Sequence, residues 1–317
     1  MASSVFIDEY KVGVICALPL ERTAVESMFD NYHDLLPTAS GHDNTYSFGR
    51  IGKHNVVLAS LGSGSYGTVS ASGVANDMRR SFPGVKFGLM VEIAGGAPRP
   101  TTKDGDMRLL GNVVVGCVNG VPSVINYRLG KETSTGFDIR SELAEPPEAI
   151  QRAVSALKTQ HQREGPTYLK HLDADVGTAK LIKRTEDSFA DYPTIHYGTI
   201  ASADTLMKEA TERDAVCQRV KRQRKADVLC FEMEAAGIVK GWPCLVVCGI
   251  CDYSTSHKND AWQNFGAATA AAYAKDLLLR IPPEMVTKSP RANDVIDEGK
   301  LKPVCLLKDS LQRNISG

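Results

Sequence analysis

The sequence lacks any excess of charge: Lys and Arg total 37, and Asp and Glu total 37. With no net field to gather polyanions, neither a nucleic-acid partner nor attraction to a membrane surface is expected. Long apolar runs are missing as well. The longest are of strand length, well short of the roughly 20 residues that cross a bilayer. The first residues, Met-Ala-Ser-Ser-Val-Phe-Ile-Asp-Glu-Tyr-Lys, hold no cationic stretch ahead of an apolar one, so no signal peptide is expected. A cytoplasmic location follows as an expectation. No internal repeat is present. The eight cysteines lie mostly inside apolar runs, which reads as buried free thiols in a reducing compartment. Cys248 and Cys251 form a CxxC, yet on a strand positions i and i+3 face opposite ways, so no metal or redox site is assigned to them. No metal ion and no cofactor are expected.

What is present is an alternation of short apolar strands and helical segments, in a chain of 317 residues that can bury a substantial core. Lys11–Ala17 reads as a first strand, and Glu21–Phe29 as a helix entered through Pro19. Tyr46–Ile51 and Asn55–Leu61 read as a hairpin about Gly52, Gly67–Phe82 as a helix, and Lys86–Ile93 and Asn112–Cys117 as strands. A helix is expected near Pro146–Gln162, an irregular insertion over Arg163–Asp191, one strand over Ile195–Ser202 and a helix over Asp204–Arg213. A long Ala-rich helix closes the series over Asn259–Leu279. This order indicates an α/β fold, three layers α/β/α about a central twisted mixed sheet. Residues 1–285 are expected to form the domain and 286–317 a polar tail.

The chemistry concentrates at two strand ends. Val228–Gly237 runs from apolar residues through Phe231 into Glu232 and Glu234, then into small helix-compatible residues. At a spacing of two the acids cannot share a face, so one is expected to reach into a cleft while the other braces the turn. Cys244–Tyr253 is a second apolar strand that discharges into Asp252. Acids at the carboxyl ends of buried strands stand where open α/β sheets bind ligands. Gly62-Ser-Gly-Ser-Tyr-Gly67 matches GxGxxG, but it does not open a βαβ unit, and no strand-end acid follows at about twenty residues. A tight turn near a ligand is the simpler reading.

Together and in order, Val12–Glu21, Gly88–Pro98, His196–Asp204, Cys230–Gly237 and Gly249–Ser254 resemble the nucleoside phosphorylase/nucleosidase family, in its fungal branch, where such domains front larger receptor-like proteins. The resemblance implies attack on the anomeric carbon of a purine nucleoside. Met233 and Glu234 would hold the ribose, the carboxylate engaging the adjacent hydroxyls. Asp252 would protonate purine N7, which requires a carboxyl kept protonated by burial. Glu21 stands where phosphorylases place a phosphate-gripping Arg and nucleosidases a Glu that activates water. Ile93 stands where phosphorylases offer a hydroxyl. Relatives usually carry Gly at positions 92 and 94, here Glu92 and Ala94; Glu92 either faces the pocket, faces solvent or pairs with a buried Arg. Cys251 replaces the small hydroxyl residue that commonly precedes the acid. Ala94, Gly95, Phe231, Leu206 and Met207 would line the base and sugar, with core packing the alternative for Leu206 and Met207.

The implied activity is hydrolysis of the N-glycosidic bond of an adenine-type nucleoside, or of a nucleotide such as ATP if basic residues meet the phosphate. The alternatives are a phosphate-dependent purine nucleoside phosphorylase and a non-catalytic nucleoside-sensing module. A homo-oligomer, a dimer first, is expected.

Overall fold

A computed structural model describes residues 6–36, 43–98, 110–118, 120–141, 145–173, 193–257 and 260–297. The central sheet is built on β1 (Val12–Cys16), whose neighbours are β4 (His54–Ser60) and β5 (Phe87–Gly96), both parallel to it. Beyond β5 lies the parallel β13 (Cys244–Asp252), then the antiparallel β6 (Val113–Val115) and β10 (Ile195–Tyr197). On the other side β3 (Tyr46–Ile51) and β2 (Asn31–Tyr32) extend the sheet antiparallel. The sheet is therefore mixed, as expected. A branch leaves the far end of β5, where β12 (Val228–Glu232) pairs antiparallel through Phe231 and Gly95, and β11 (Thr199–Ser202) and β7 (Val124–Asn126) follow. A separate hairpin joins β8 (Gly130–Thr133) to β9 (Gly136–Ile139).

Period-two alternation sorts the central strands into two cores. Val12 and Val14 of β1, Leu89 and Val91 of β5, and Leu245 and Val247 of β13 share one cluster. It is covered by α1 (Pro19–Glu26), α3 (Glu148–Glu164), α4 (Leu169–Asp173) and α7 (Gln263–Arg280). Ile15, Met90, Val246 and Cys248 face the other way, onto α2 (Gly67–Ser81) and α6 (Ala235–Val239). Strands filled on both faces read as continuous apolar runs, which is why the sequence pattern is so plain here.

Four expectations need revision. The strand over 195–202 is two strands separated at Gly198. The helix expected over 204–213 begins later: α5 spans Ala210–Arg224, with Glu209 at its N-cap accepting from Glu212 N at 2.7 Å. Asp204 instead receives Thr68 N at 2.6 Å and Thr68 Oγ1 at 2.9 Å, so it caps the start of α2 from across the molecule. Of the expected irregular segment 163–191, residue 164 ends α3 and 169–173 form α4, while 174–191 lie outside the described residues. Residues 283–297, partly assigned to a tail, form α8 (Pro283–Lys288) and α9 (Ala292–Asp297). Ala292 is buried, and its N–H bonds Val85 O at 2.9 Å. Residues 298–317 lie outside the described set.

Candidate active site

The carboxyl ends of β5, β12 and β13 meet the start of α1 around a cavity of about 450 Å³, a size suited to a small organic ligand. All ten residues singled out from the sequence line it: Glu21, Ala94, Gly95, Leu206, Met207, Phe231, Glu232, Met233, Glu234 and Asp252.

Strand geometry sets Asp252. The register of β13 on β5 shifts between Ile250 and Asp252, so Cys251 forms a bulge and Asp252 lies beside Gly95. Bulges re-aim side chains at functional strand ends. Ser254 N donates to Asp252 Oδ1 at 2.7 Å, and the Cys251 thiol lies 3.6 Å from Oδ2. Support for the acid thus comes from a backbone amide as well as from the thiol that replaces the expected hydroxyl. Ser254 holds a left-handed φ of 53° to give it. Asp252 is only partly buried, so the complete burial expected from its apolar strand does not extend to its last residue.

Glu232 and Glu234 follow the expected pairing in that one of them braces the turn, and differ from it in that both reach the cavity. Glu232 Oε2 receives Glu234 N and Ala235 N, both at 2.7 Å, and so braces the turn into α6. Glu234 receives Gly67 N at 2.9 Å and Met233 N at 3.2 Å. Both acids line the cavity. The glycine loop therefore supports the site through one amide. At Gly67 φ is +88°, and a Cβ would stand 2.4 Å from Asp204 Oδ1, so only glycine fits.

Glu21 is 1% exposed and is held by three backbone amides. Oε2 receives Ala17 N and Leu18 N at 2.8 Å, and Oε1 receives Ile93 N at 2.8 Å. Burial pushes its carboxyl up to about 8 against the pull of these donors. Burial, and then the charge of Glu234, push Glu232 up to about 7; burial also raises Glu234.

Of the three open readings of Glu92, the structure selects the cavity. Its side chain is 1% exposed and lines the pocket, and it accepts a hydrogen bond from the Cys248 thiol at 3.5 Å. Glu92, Glu232 and Glu234 each bring a carboxylate oxygen within 4.8 Å of the others. Five acids therefore line one cavity, and among the described residues no Lys, Arg or His lines it. Such a pocket offers a phosphate no cation, and those of its carboxyls that are ionised repel it and attract developing positive charge.

Apolar walls complete the site. Phe231 packs edge-on against Tyr127, Met207 is buried in a satellite core, and Leu206 is 48% exposed at the mouth. Met207 therefore serves both core and wall, whereas Leu206 is not a core residue. Sequence reasoning passed over Tyr66, Thr205, Ser254 and Gln263 as lining residues. Only Ser254, two residues beyond the strand-end acid, carried a signal by its position. The thiols of Cys244, Cys248 and Cys251 are buried, as expected of cysteines inside apolar strands.

A family model described as the phosphorylase superfamily matches residues 11–281. A nucleotide-binding leucine-rich repeat (NLR)-like protein of Hyaloscypha variabilis is 34% identical over 307 residues, covering 87% of this chain and 30% of its own length. The chain thus spans under a third of that relative. A 5′-methylthioadenosine/S-adenosylhomocysteine nucleosidase from Neisseria meningitidis, solved with methylthio-immucillin-A, superposes with a TM-score of 0.60 at 16% identity, over 85% of this chain and 99% of that one. Futalosine hydrolase of Helicobacter pylori superposes with a TM-score of 0.58 at 18% identity, over 85% and 97%. At these identities the likeness is one of fold.

Proposed function

Because this chain belongs to the phosphorylase superfamily, we propose that it hydrolyses the N-glycosidic bond of a purine nucleoside, adenine-type first, with water as the nucleophile. One observation carries the reading: five carboxyl groups line the cavity, and no cationic side chain lines it among the described residues. Phosphate would find no cation to pair with there, and whichever carboxyls are ionised would repel it in a site where screening is weak. The same repulsion disfavours a nucleotide such as ATP. A sugar that becomes an oxocarbenium-like cation gains from those charges as the bond breaks.

In this reading Glu21 takes a proton from water, and a carboxyl near 8 is suited to general-base work close to neutral pH. Glu234, fixed by Gly67 N and Met233 N, keeps lone pairs to accept from the ribose hydroxyls. Asp252 gives its proton to the purine as the base leaves, so that a neutral leaving group departs. Water adds to the anomeric carbon as the bond to the base nitrogen breaks. The products are free base and free sugar. A homodimer and a cytoplasmic location belong to the same proposal. No helix among the described residues is long and apolar enough to cross a membrane.

Glu21→Gln tests the mechanism. The amide keeps the size of the side chain but cannot take the proton, so base release should fall by roughly 10²–10⁴. Near-normal release by a folded mutant would remove Glu21 from the reaction. A second reading, a nucleoside-sensing module, is favoured by the NLR-like relative, of which this chain covers only 30%. Wild-type binding of adenosine without any base release would select it.

A further inference from the structure

Glu92 is the acid that the proposed reaction does not use, and its surroundings are unusual. Its neighbours Glu232 and Glu234 are each fixed by two backbone N–H groups, as charged carboxylates are. Among the described residues Glu92 receives no such donor, only the Cys248 thiol at 3.5 Å. Glu232 Oε1 accepts none of those N–H groups, on a residue 6% exposed whose carboxyl also takes a bond from Ser202. One oxygen of each of the three acids lies within 4.8 Å of the others, and on side chains so little exposed they cannot all be ionised without large repulsion. The carboxyl lacking N–H donors is the one that should hold the proton, and Glu232 is the neighbour with an acceptor oxygen to spare.

We propose that Glu92 is a neutral carboxylic acid that donates its proton to Glu232 Oε1 and thereby positions the Glu232–Glu234 turn that presents the ribose-binding carboxylate. Glu92 is a positioning residue here, acting through Glu232. The inference rests on the nucleosidase reading for its purpose but not for its chemistry. Burial, followed by the charges of Glu232, Glu234 and Glu21, pushes the Glu92 carboxyl well above the ordinary range. The groups that face it agree. Glu232 on β12, Glu234 at the N-cap of α6 and Glu21 on α1 all repel its charged form. The thiols nearby are Cys248, hydrogen-bonded to the Cys230 thiol, and Cys16 on β1; burial raises Cys248 and Cys16, so both are neutral. A bound divalent cation is the competing solution. Added calcium distinguishes it from the proton.

The test uses the free protein, so it can succeed or fail whatever the substrate proves to be. Carboxyl-selective ¹³C NMR of glutamate-labelled protein at pH 7 should show one more protonated glutamate in wild type than in Glu92→Gln. An equal number in the two overturns the proposal, as does a wild-type spectrum with no protonated glutamate, which needs no variant to fold. Where turnover is measurable, Glu92→Gln, whose amide also donates to Glu232 Oε1, should lose less than Glu92→Ala. Glu92→Ala strands that oxygen and should cost about tenfold. Equal losses in Gln and Ala variants contradict the donation. Calcium chloride that raises the thermal midpoint of wild type, but not of Glu92→Gln, would assign a cation in place of the proton.

Discussion

At the residue scale, environment separates one carboxyl from another. Glu21 and Glu232 are both enclosed, yet their hydrogen bonds give them different tasks: Glu21 lies against the edge of β5 through Ile93 N, while Glu232 braces a turn. Asp252 has the partly exposed position and one strong backbone donor. If it is the acid that protonates the leaving purine, Asp252→Asn should lower turnover by roughly 10²–10⁴ while thermal stability changes little. Turnover and melting of the same preparation check this, and a soluble mutant with near-normal turnover removes the acid from the mechanism. The two Glu of the Phe-Glu-Met-Glu run and Asp252 were legible in the sequence because apolar strands discharge directly into them, as at the ligand-binding ends of open sheets; Glu21, inside α1, was marked only by the family resemblance. Glu92 was legible only as a departure. Nothing in Val-Glu-Ile indicates which way a strand side chain points until the register with β13 is known.

At the element scale, the acid depends on a close approach of two strands. A Cβ at Gly95 would stand 2.2 Å from Ser254 Oγ and 2.7 Å from Asp252 Oδ1. Gly95→Ala should therefore displace Asp252 and cut turnover by at least tenfold, with a stability loss of about 1–3 kcal/mol from overpacking. Loss of stability with unchanged turnover would show that Asp252 does not need this placement. The strands and long helices of the core were readable from periodicity. The short pieces β7, β8 and β9 were not, because three or four residues carry too little pattern. The start of α5 was misplaced for a physical reason: Asp204 caps a helix far away in sequence, and tertiary hydrogen bonds overrule local propensity. The docking of residues 283–297 was hidden by polar composition, since the contact rests on two small buried side chains, Val286 and Ala292, and on bonds to backbone oxygens, Ala292 N to Val85 O and Lys86 Nζ to Ser289 O.

At the scale of the whole molecule, a nest of buried acids makes stability depend on pH. Glu21 and Glu232 are held at about 8 and about 7 against an ordinary 4.5, and Glu234 is raised too. The native state keeps protons that the unfolded chain releases. Their contribution is therefore complete below about pH 4.5. It is lost as pH rises through the folded values, at about 1.4 kcal/mol per pH unit for each proton held. Asp276 works in the opposite sense. Although burial opposes it, His161, His171 and Thr167 hold it well below the usual range, so its contribution disappears only on strong acidification. The thermal midpoint should peak in mildly acidic buffer and fall between pH 5.5 and 8, as a melting series would show. A midpoint that climbs across that interval would mean the buried acids are already ionised in the native state.

The central claim is that water, and not phosphate, attacks the sugar, and product analysis tests it most directly. Adenosine is incubated with the protein in phosphate-free buffer and in increasing phosphate, and the sugar product is identified. Adenine should appear at the same rate throughout, accompanied by free ribose, because the cavity presents carboxylates where phosphate would have to bind. Ribose 1-phosphate rising in proportion to added phosphate would contradict the account and make the protein a phosphorylase.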